Sequence, residues 1–372
     1  MESSNSEFDV YPTGLINGSK EYNYYSEYKP NSNSKYFDGY YINSISDSLS
    51  NVCYINSSIQ CLFYLKKFVD FIINDTHGSF LLQSTRNLLT SMVPPKNGQK
   101  RDLSVKEIKM DMGMIDDRYK YNNQEDANEF ISNYLDALLE QTSDKYDKIG
   151  IYKENIIKLE NENELVKTAF DKFFNKFYGR KGYSRILDLF YGNYITKKVC
   201  QKCQELVSVK FNAFNMIELP IYELANKNKG YNYFPLKPLN IDEILASYFS
   251  DTYDDEKCKN CGRKICNEKY IFKLPDNLIV FFGRTANDEY IDIPISYGKT
   301  LNLGKYMYKK LGNKTYSLSG IIHYIPFGKK DGIGHYTATI FYKKKSWIHF
   351  NDTIISKISS LPDHAIILFY EK

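Results

Sequence analysis

Helical patterning in the amino-terminal half and strand patterning in the carboxyl-terminal half predict an α+β fold, with helices and sheet segregated along the chain. Three observations carry this. Before about Arg185, apolar residues recur at three- and four-residue spacing. After it, short runs rich in Val, Ile, Phe and Tyr take over. The chain has 372 residues, 42% of them apolar, enough for one large domain with subdomains or for two ordinary ones.

Residues 1–38 are rich in Ser, Asn, Tyr and Lys without a sustained apolar period, so a flexible tail is expected there and a folded part over 39–372. The first helix starts at Cys53 and repeats Ile55, Ile59, Leu62 and Phe63. Asn123 is the expected cap of a second, whose inner face carries Ala127, Phe130, Ile131, Tyr134, Leu135 and Leu138. Leu165, Val166, Ala169, Phe170, Phe173, Phe174 and Phe177 form a third stripe, stopped by Gly179. The charged stretch 153–163 reads as an exposed insertion or helix edge. Strands are predicted over 207–211, 278–282, 316–322, 337–341 and 365–370.

Composition excludes several classes. A formal charge of +4, with 25% charged residues, gives no basis for a nucleic-acid partner. Lys343-Lys344-Lys345 reads as a solvated turn between strands rather than a localisation signal. No apolar run approaches the roughly 18 residues that span a bilayer, and no signal-peptide pattern stands out. The expectation is a cytoplasmic or nuclear protein with no membrane partner and with reduced thiols. Seven cysteines, an odd count, then favour metal binding and catalysis over disulfides.

Cys53 sits in Ser50-Asn51-Val52-Cys53-Tyr54-Ile55-Asn56-Ser57 at a predicted helix start. Unpaired N–H groups and the helix dipole there favour the thiolate, the reactive form. The bland alternative, a buried structural cysteine, is the reading for Cys61 on the same helix. Far downstream stand Gly334-His335-Tyr336 and Trp347-Ile348-His349-Phe350-Asn351-Asp352. A hairpin of 337–341 with 347–350 would bring His335 beside Asn351, which could fix the imidazole tautomer; Asp352 could do so too. The chain has five histidines, and most histidines are merely surface or satisfied residues. His349 is the weaker candidate, and His323 could line the same cleft.

Cys200-Gln201-Lys202-Cys203 and Cys258-Lys259-Asn260-Cys261-Gly262 are two paired-cysteine motifs. Four thiolates from two such turns suit tetrahedral Zn²⁺ and leave no open position for catalysis. Unliganded thiols or a redox role are the alternatives, and Cys266 is a spare thiol able to compete as a ligand.

Together these motifs resemble the ubiquitin-specific protease family, papain-like cysteine peptidases. Cys53 through Leu62 resembles its cysteine box, and Gln124-Glu125-Asp126-Ala127-Asn128-Glu129-Phe130 its glutamine–aspartate helix motif. Leu189-Phe190-Tyr191-Gly192 precedes the first cysteine pair, and Leu274-Pro275-Asp276-Asn277-Leu278-Ile279 follows the second, as in the family. Gly334-His335-Tyr336, Trp347, Phe350-Asn351-Asp352 and Leu368-Phe369-Tyr370 resemble the histidine box and last strand. Likeness runs from about residue 44 to the C-terminus.

The resemblance implies a papain-like fold with a helical thumb (about 44–190), zinc-stapled β fingers (191–275) and an antiparallel palm (276–372). It also implies a monomer acting on ubiquitin and ubiquitinated proteins as a deubiquitinating hydrolase. Cys53, His335, Asn351 and Asp352 would be catalytic; Gln124, Asp126, Glu129, Gly334 and Tyr336 would contact the ubiquitin tail; Cys200, Cys203, Cys258 and Cys261 would hold structural zinc. One departure stands out: Ser48 occupies the position of the family's usual oxyanion Asn. Its hydroxyl, the Cys53 N–H or Asn51 would have to substitute. A catalytically weak ubiquitin-binding scaffold, or a protease for another ubiquitin-like modifier, are the rival readings.

Overall fold

The structure is a computed structural model describing residue 15 and residues 50–92, 103–144, 162–228, 237–286, 289–309, 314–327, 334–343 and 345–372. Ser48, most of the 153–163 stretch and all of the 1–38 segment except Leu15 lie outside the described residues, as does Lys344. The chain divides into two compact units.

The first unit takes in Met1–Gln141, Arg284–Asp292 and Ser319–Phe369. Its helices are α1 (Cys53–Leu62), α2 (Lys66–Asn74), α3 (Phe80–Ser91), α4 (Lys106–Ile115) and α5 (Ala127–Gln141). All ten residues of α1 are buried. The expected amphipathic helix is therefore a central one, packed against α5 and the strand Gly334–Tyr342. Its polar residues survive burial by bonding locally: Ser57 and Ser58 hydroxyls donate to the Tyr54 carbonyl at 3.2 and 2.6 Å. Phe130 on α5 is fully buried against Tyr54, Tyr119 and Tyr134. Truncating such a ring costs about 3–5 kcal/mol.

Helix α5 begins at Ala127, four residues beyond Asn123. The Asp126 carbonyl accepts the Phe130 N–H at 2.9 Å, so Asp126 stands at the helix entrance and Gln124–Asp126 is left extended.

The sheet of this unit runs in the order Ile354–Ile358, Ser346–Asn351, Gly334–Tyr342, Thr315–Pro326, Ala365–Glu371. The predicted hairpin forms, with Ala338 opposite Phe350 and Phe341 opposite Trp347. Lys343 takes a positive φ of 48° and the Lys345 N–H returns to the Tyr342 carbonyl, as a turn requires. Gly320 fits closely where α1 meets the sheet: a Cβ there would lie 3.1 Å from Cys61 Sγ, a tight contact. Cys61 is the buried structural thiol expected, its Sγ directed at the Ile321 carbonyl.

The second unit comprises Thr142–Gly283, Ile293–Leu318 and Tyr370–Lys372. The helix Glu164–Lys181 is capped by the Asn163 side chain and ends at Gly182 (φ 79°), three residues past Gly179. Gly179 keeps helical geometry because a glycine inside a helix costs only about 1 kcal/mol. Phe170 packs at 5.2 Å on Phe211 and 5.8 Å on Phe272, joining this helix to a four-stranded antiparallel sheet. That sheet is ordered Leu206–Phe214, Gly192–Cys200, Lys264–Lys273, Thr252–Lys257. The strand Asn277–Gly283 pairs in parallel with Ile217–Pro220, a departure from the antiparallel pattern expected. Among the described residues, no helix is long and apolar enough to cross a membrane.

Candidate active site

Cys53 is the first residue of α1, and only 3% exposed. Burial and the negative Asp352 push its thiol up to about 12, although the backbone N–H groups of Tyr336, Tyr54 and Cys53 itself pull the other way. The helix terminus predicted a favoured thiolate. Burial opposes this: lost hydration outweighs the helix dipole and favours the neutral thiol.

The Tyr336 N–H contact brings the strand Gly334–Tyr342 against the thiol, one residue from His335. The His335 Nε2 lies 2.7 Å from Asn351 Oδ1. With Nε2–H donating there, Nδ1 is left as the base in the neutral ring. The hairpin register sets this pair, as the sequence spacing anticipated. Asp352 is more distant, its Oδ2 3.8 Å from Nε2. Its Oδ1 instead accepts from Asn56 Nδ2 at 2.8 Å. Asn56 is thus a supporting residue that motif reading quoted without a role.

Gly334 is needed for space rather than flexibility: a Cβ would lie 2.4 Å from the Tyr324 ring. Its N–H donates to Gln124 Oε1 at 3.1 Å. The Tyr336 hydroxyl donates to Asp126 Oδ1 at 2.9 Å. The loop before α5 is therefore tied twice to the histidine strand. Glu129 pairs with Arg118, which also grips Asp116; burial raises the Glu125 carboxyl above its ordinary range. Asn51 donates to the Asn122 carbonyl at 2.8 Å from a left-handed backbone (φ 58°).

His349 and His323 do not join His335. Both bond the Thr339 hydroxyl, at 3.0 and 3.2 Å. Burial drives His349 down to about 4 and holds His323 well below its usual value.

In the second unit, Cys200, Cys203, Cys258 and Cys261 have their Sγ atoms within 4.8 Å of one another. Three of the pairs lie at 3.3 Å (Cys200–Cys261), 3.7 Å (Cys203–Cys258) and 3.8 Å (Cys203–Cys261). A tetrahedron of about 2.3 Å metal–sulfur bonds has edges of about 3.8 Å, so the set fits one ion. The two turns are built alike. In each, the residue after the second cysteine is left-handed, Gln204 at φ 58° and Gly262 at 68°. In each, its N–H returns to the first cysteine's carbonyl, at 2.9 and 2.8 Å. All seven cysteines are free thiols.

The chain matches the family model "Ubiquitin carboxyl-terminal hydrolase" over residues 47–370. It is 25% identical over 346 residues to ubiquitin carboxyl-terminal hydrolase Usp2 of Drosophila melanogaster, covering 87% of this chain and 34% of that protein. It is 23% identical over 375 residues to ubiquitin carboxyl-terminal hydrolase 5 of Saccharomyces cerevisiae, covering 88% and 44%. It therefore spans less than half the length of these curated relatives. Its fold is similar to a chain of the solved "SAGA Ubp8/Sgf11/Sus1/Sgf73 DUB module bound to ubiquitin aldehyde", at TM-score 0.63 and 18% identity, covering 100% of this chain and 71% of that one. With the family model spanning nearly all of the chain and the motif residues assembled as described, the chain belongs to the ubiquitin carboxyl-terminal hydrolase family.

Proposed function

We propose that this chain is a thiol-dependent deubiquitinase that cleaves the (iso)peptide bond at the C-terminal glycine of ubiquitin. The observation that carries this is the His335–Asn351 contact of 2.7 Å on the strand whose next N–H meets the Cys53 thiol. Because burial favours the neutral thiol, its proton passes to His335 Nδ1 as the sulfur attacks. The C–N bond then breaks, His335 returns that proton to the departing lysine amine, and a thioester remains. Water attacks the thioester, giving its proton to His335; ubiquitin leaves as a carboxylic acid and the thiolate is reprotonated. Asn351 holds the ring tautomer throughout. The oxyanion donor in this reading is the Ser48 hydroxyl, the Cys53 backbone N–H or the second amide N–H of Asn51, whose first is given to Asn122.

The ubiquitin tail lies, in this reading, along the loop before α5 and the strand Gly334–Tyr342. Gln124, Asp126, Gly334 and Tyr336 already bond one another there. Asp126 and Glu129 supply carboxylates for the tail's arginines, with Arg118 beside Glu129 the cation to be displaced. The four cysteines hold a structural Zn²⁺ that staples the tips of two hairpins, the role of fingers. Zinc there supplies cohesion and leaves no coordination position for chemistry.

Ubiquitin bearing a thiol-reactive group at its C-terminus tests the reading. Labelling of the wild type, lost in Cys53→Ala, is expected. Binding without labelling would assign a scaffold instead, and labelling only by another modifier's probe would change the substrate.

A further inference from the structure

Leu15 falls where the sequence predicts a flexible tail, yet it is fully buried. Its N–H donates to the Asp352 carbonyl at 3.1 Å. Its own carbonyl accepts from Asn56 Nδ2 at 3.4 Å, and the same Nδ2 donates to Asp352 Oδ1 at 2.8 Å. Leu15, Asn56 and Asp352 thus close a hydrogen-bonded ring that joins the amino-terminal segment to α1 and to the turn after Asn351.

Asp352 is the member nearest the reacting groups. Its φ is +50°, a left-handed conformation that Asp tolerates in a tight turn, here the one between the paired Asn351 and Ile354. Asn56 restrains its carboxylate and Leu15 restrains its peptide. That carboxylate stands 3.8 Å from His335 Nε2, and its charge disfavours the Cys53 thiolate. Anything that lets Asp352 relax alters both reacting side chains. The leucine supplies adhesion through its buried side chain and specificity through its main chain.

We propose that Leu15 is a positioning residue, an anchor in the amino-terminal segment that sets Asp352 and through it the proton balance between Cys53 and His335. The inference rests on the peptidase reading only for its turnover measurement.

The test uses the full chain with Leu15→Asn, Leu15→Pro (which removes the N–H donor), Asp352→Asn and the Leu15→Asn/Asp352→Asn double variant. The pH profile of iodoacetamide alkylation is followed at the Cys53 peptide by mass spectrometry, beside kcat and KM on a fluorogenic ubiquitin amide. Both Leu15 variants are expected to lower the alkylation midpoint by about one unit, as Asp352→Asn does. The double variant should move no further than Asp352→Asn. Turnover should fall about tenfold with KM held within about twofold. A wild-type profile in both Leu15 variants, or an additive shift in the double variant, overturns the proposal. Each variant is checked for a cooperative unfolding transition. Where Leu15→Asn lacks one, Leu15→Ala replaces it: a smaller downward shift supports the proposal and an unshifted profile overturns it. Alkylation needs no ubiquitin, so a shifted profile without turnover counts against the ubiquitin reading alone.

Discussion

The four-cysteine cluster and the Cys53 site surround their thiols differently, and the difference follows from how each is assembled. Within the cluster the thiols diverge: the Cys203 backbone N–H helps lower Cys200 to about 6, while Cys203 is raised to about 12 and Cys258 is raised as well, each against its own backbone donors. Cys53 is pushed to about 12 by burial and Asp352. The first cluster is made by two similar turns, each satisfying its thiols with its own backbone. The second is made by packing a wholly buried helix against a distant strand, and packing removes water. In the cluster local N–H donors offset the crowding of four sulfurs; at Cys53 they are outweighed by burial.

The sharpest way to break this comparison is to remove each sulfur. Cys53→Ala is expected to lower kcat/KM on ubiquitin conjugates about 10⁴-fold or more while leaving the thermal transition and zinc content unchanged. Cys258→Ser should do the reverse. Bound zinc should fall below half an equivalent by metal analysis. Stability in urea should drop by about 5 kcal/mol or more, since metal binding is coupled to folding.

His349 separates burial from catalysis. Its folded pKa of about 4 lies below the unfolded value of 6.5, so the unfolded chain binds more protons between them. Its contribution is complete above pH 6.5 and is lost as pH falls toward 4, amounting to about 3 kcal/mol. Urea titrations of His349→Gln should show a flatter pH dependence across that window, and an unchanged slope would assign the acid sensitivity elsewhere. Asn351→Ala should lower kcat about thirtyfold, close to 2 kcal/mol, with little change in KM, because only the tautomer and ring orientation are lost. The smallest effect is expected from Tyr336→Phe, which removes the hydroxyl that Asp126 accepts. A loss of about 1 kcal/mol, read as a KM increase of several-fold with kcat retained, would place this pair in tail binding; a kcat effect would place it with the chemistry.

Local chemistry was legible in the chain. The two cysteine motifs, the hairpin that pairs His335 with Asn351, and the five predicted strands depend on spacing and turn residues, which act over a few positions. The start of α5 was misjudged at Asn123 because a good cap residue does not compel a helix when the following residues bond elsewhere: Gln124 with the Gly334 N–H, and Asp126 with the Tyr336 hydroxyl. The need for glycine at 334 was not legible, since it comes from the ring of Tyr324 on the neighbouring strand, which excludes a Cβ.

By itself the sequence determined which side chains are candidates for chemistry, because residue type and short-range spacing settle what a thiol, imidazole or amide is able to do. Only the tertiary structure decided their states. The raised Cys53 thiol, the contacts of Asn56 and Leu15 with Asp352, and the diversion of His349 and His323 to Thr339 all arise from dehydration and from contacts between residues brought together by packing. The physical reason is that hydration and electrostatic surroundings belong to the packed interior, and no short window of residues encodes them.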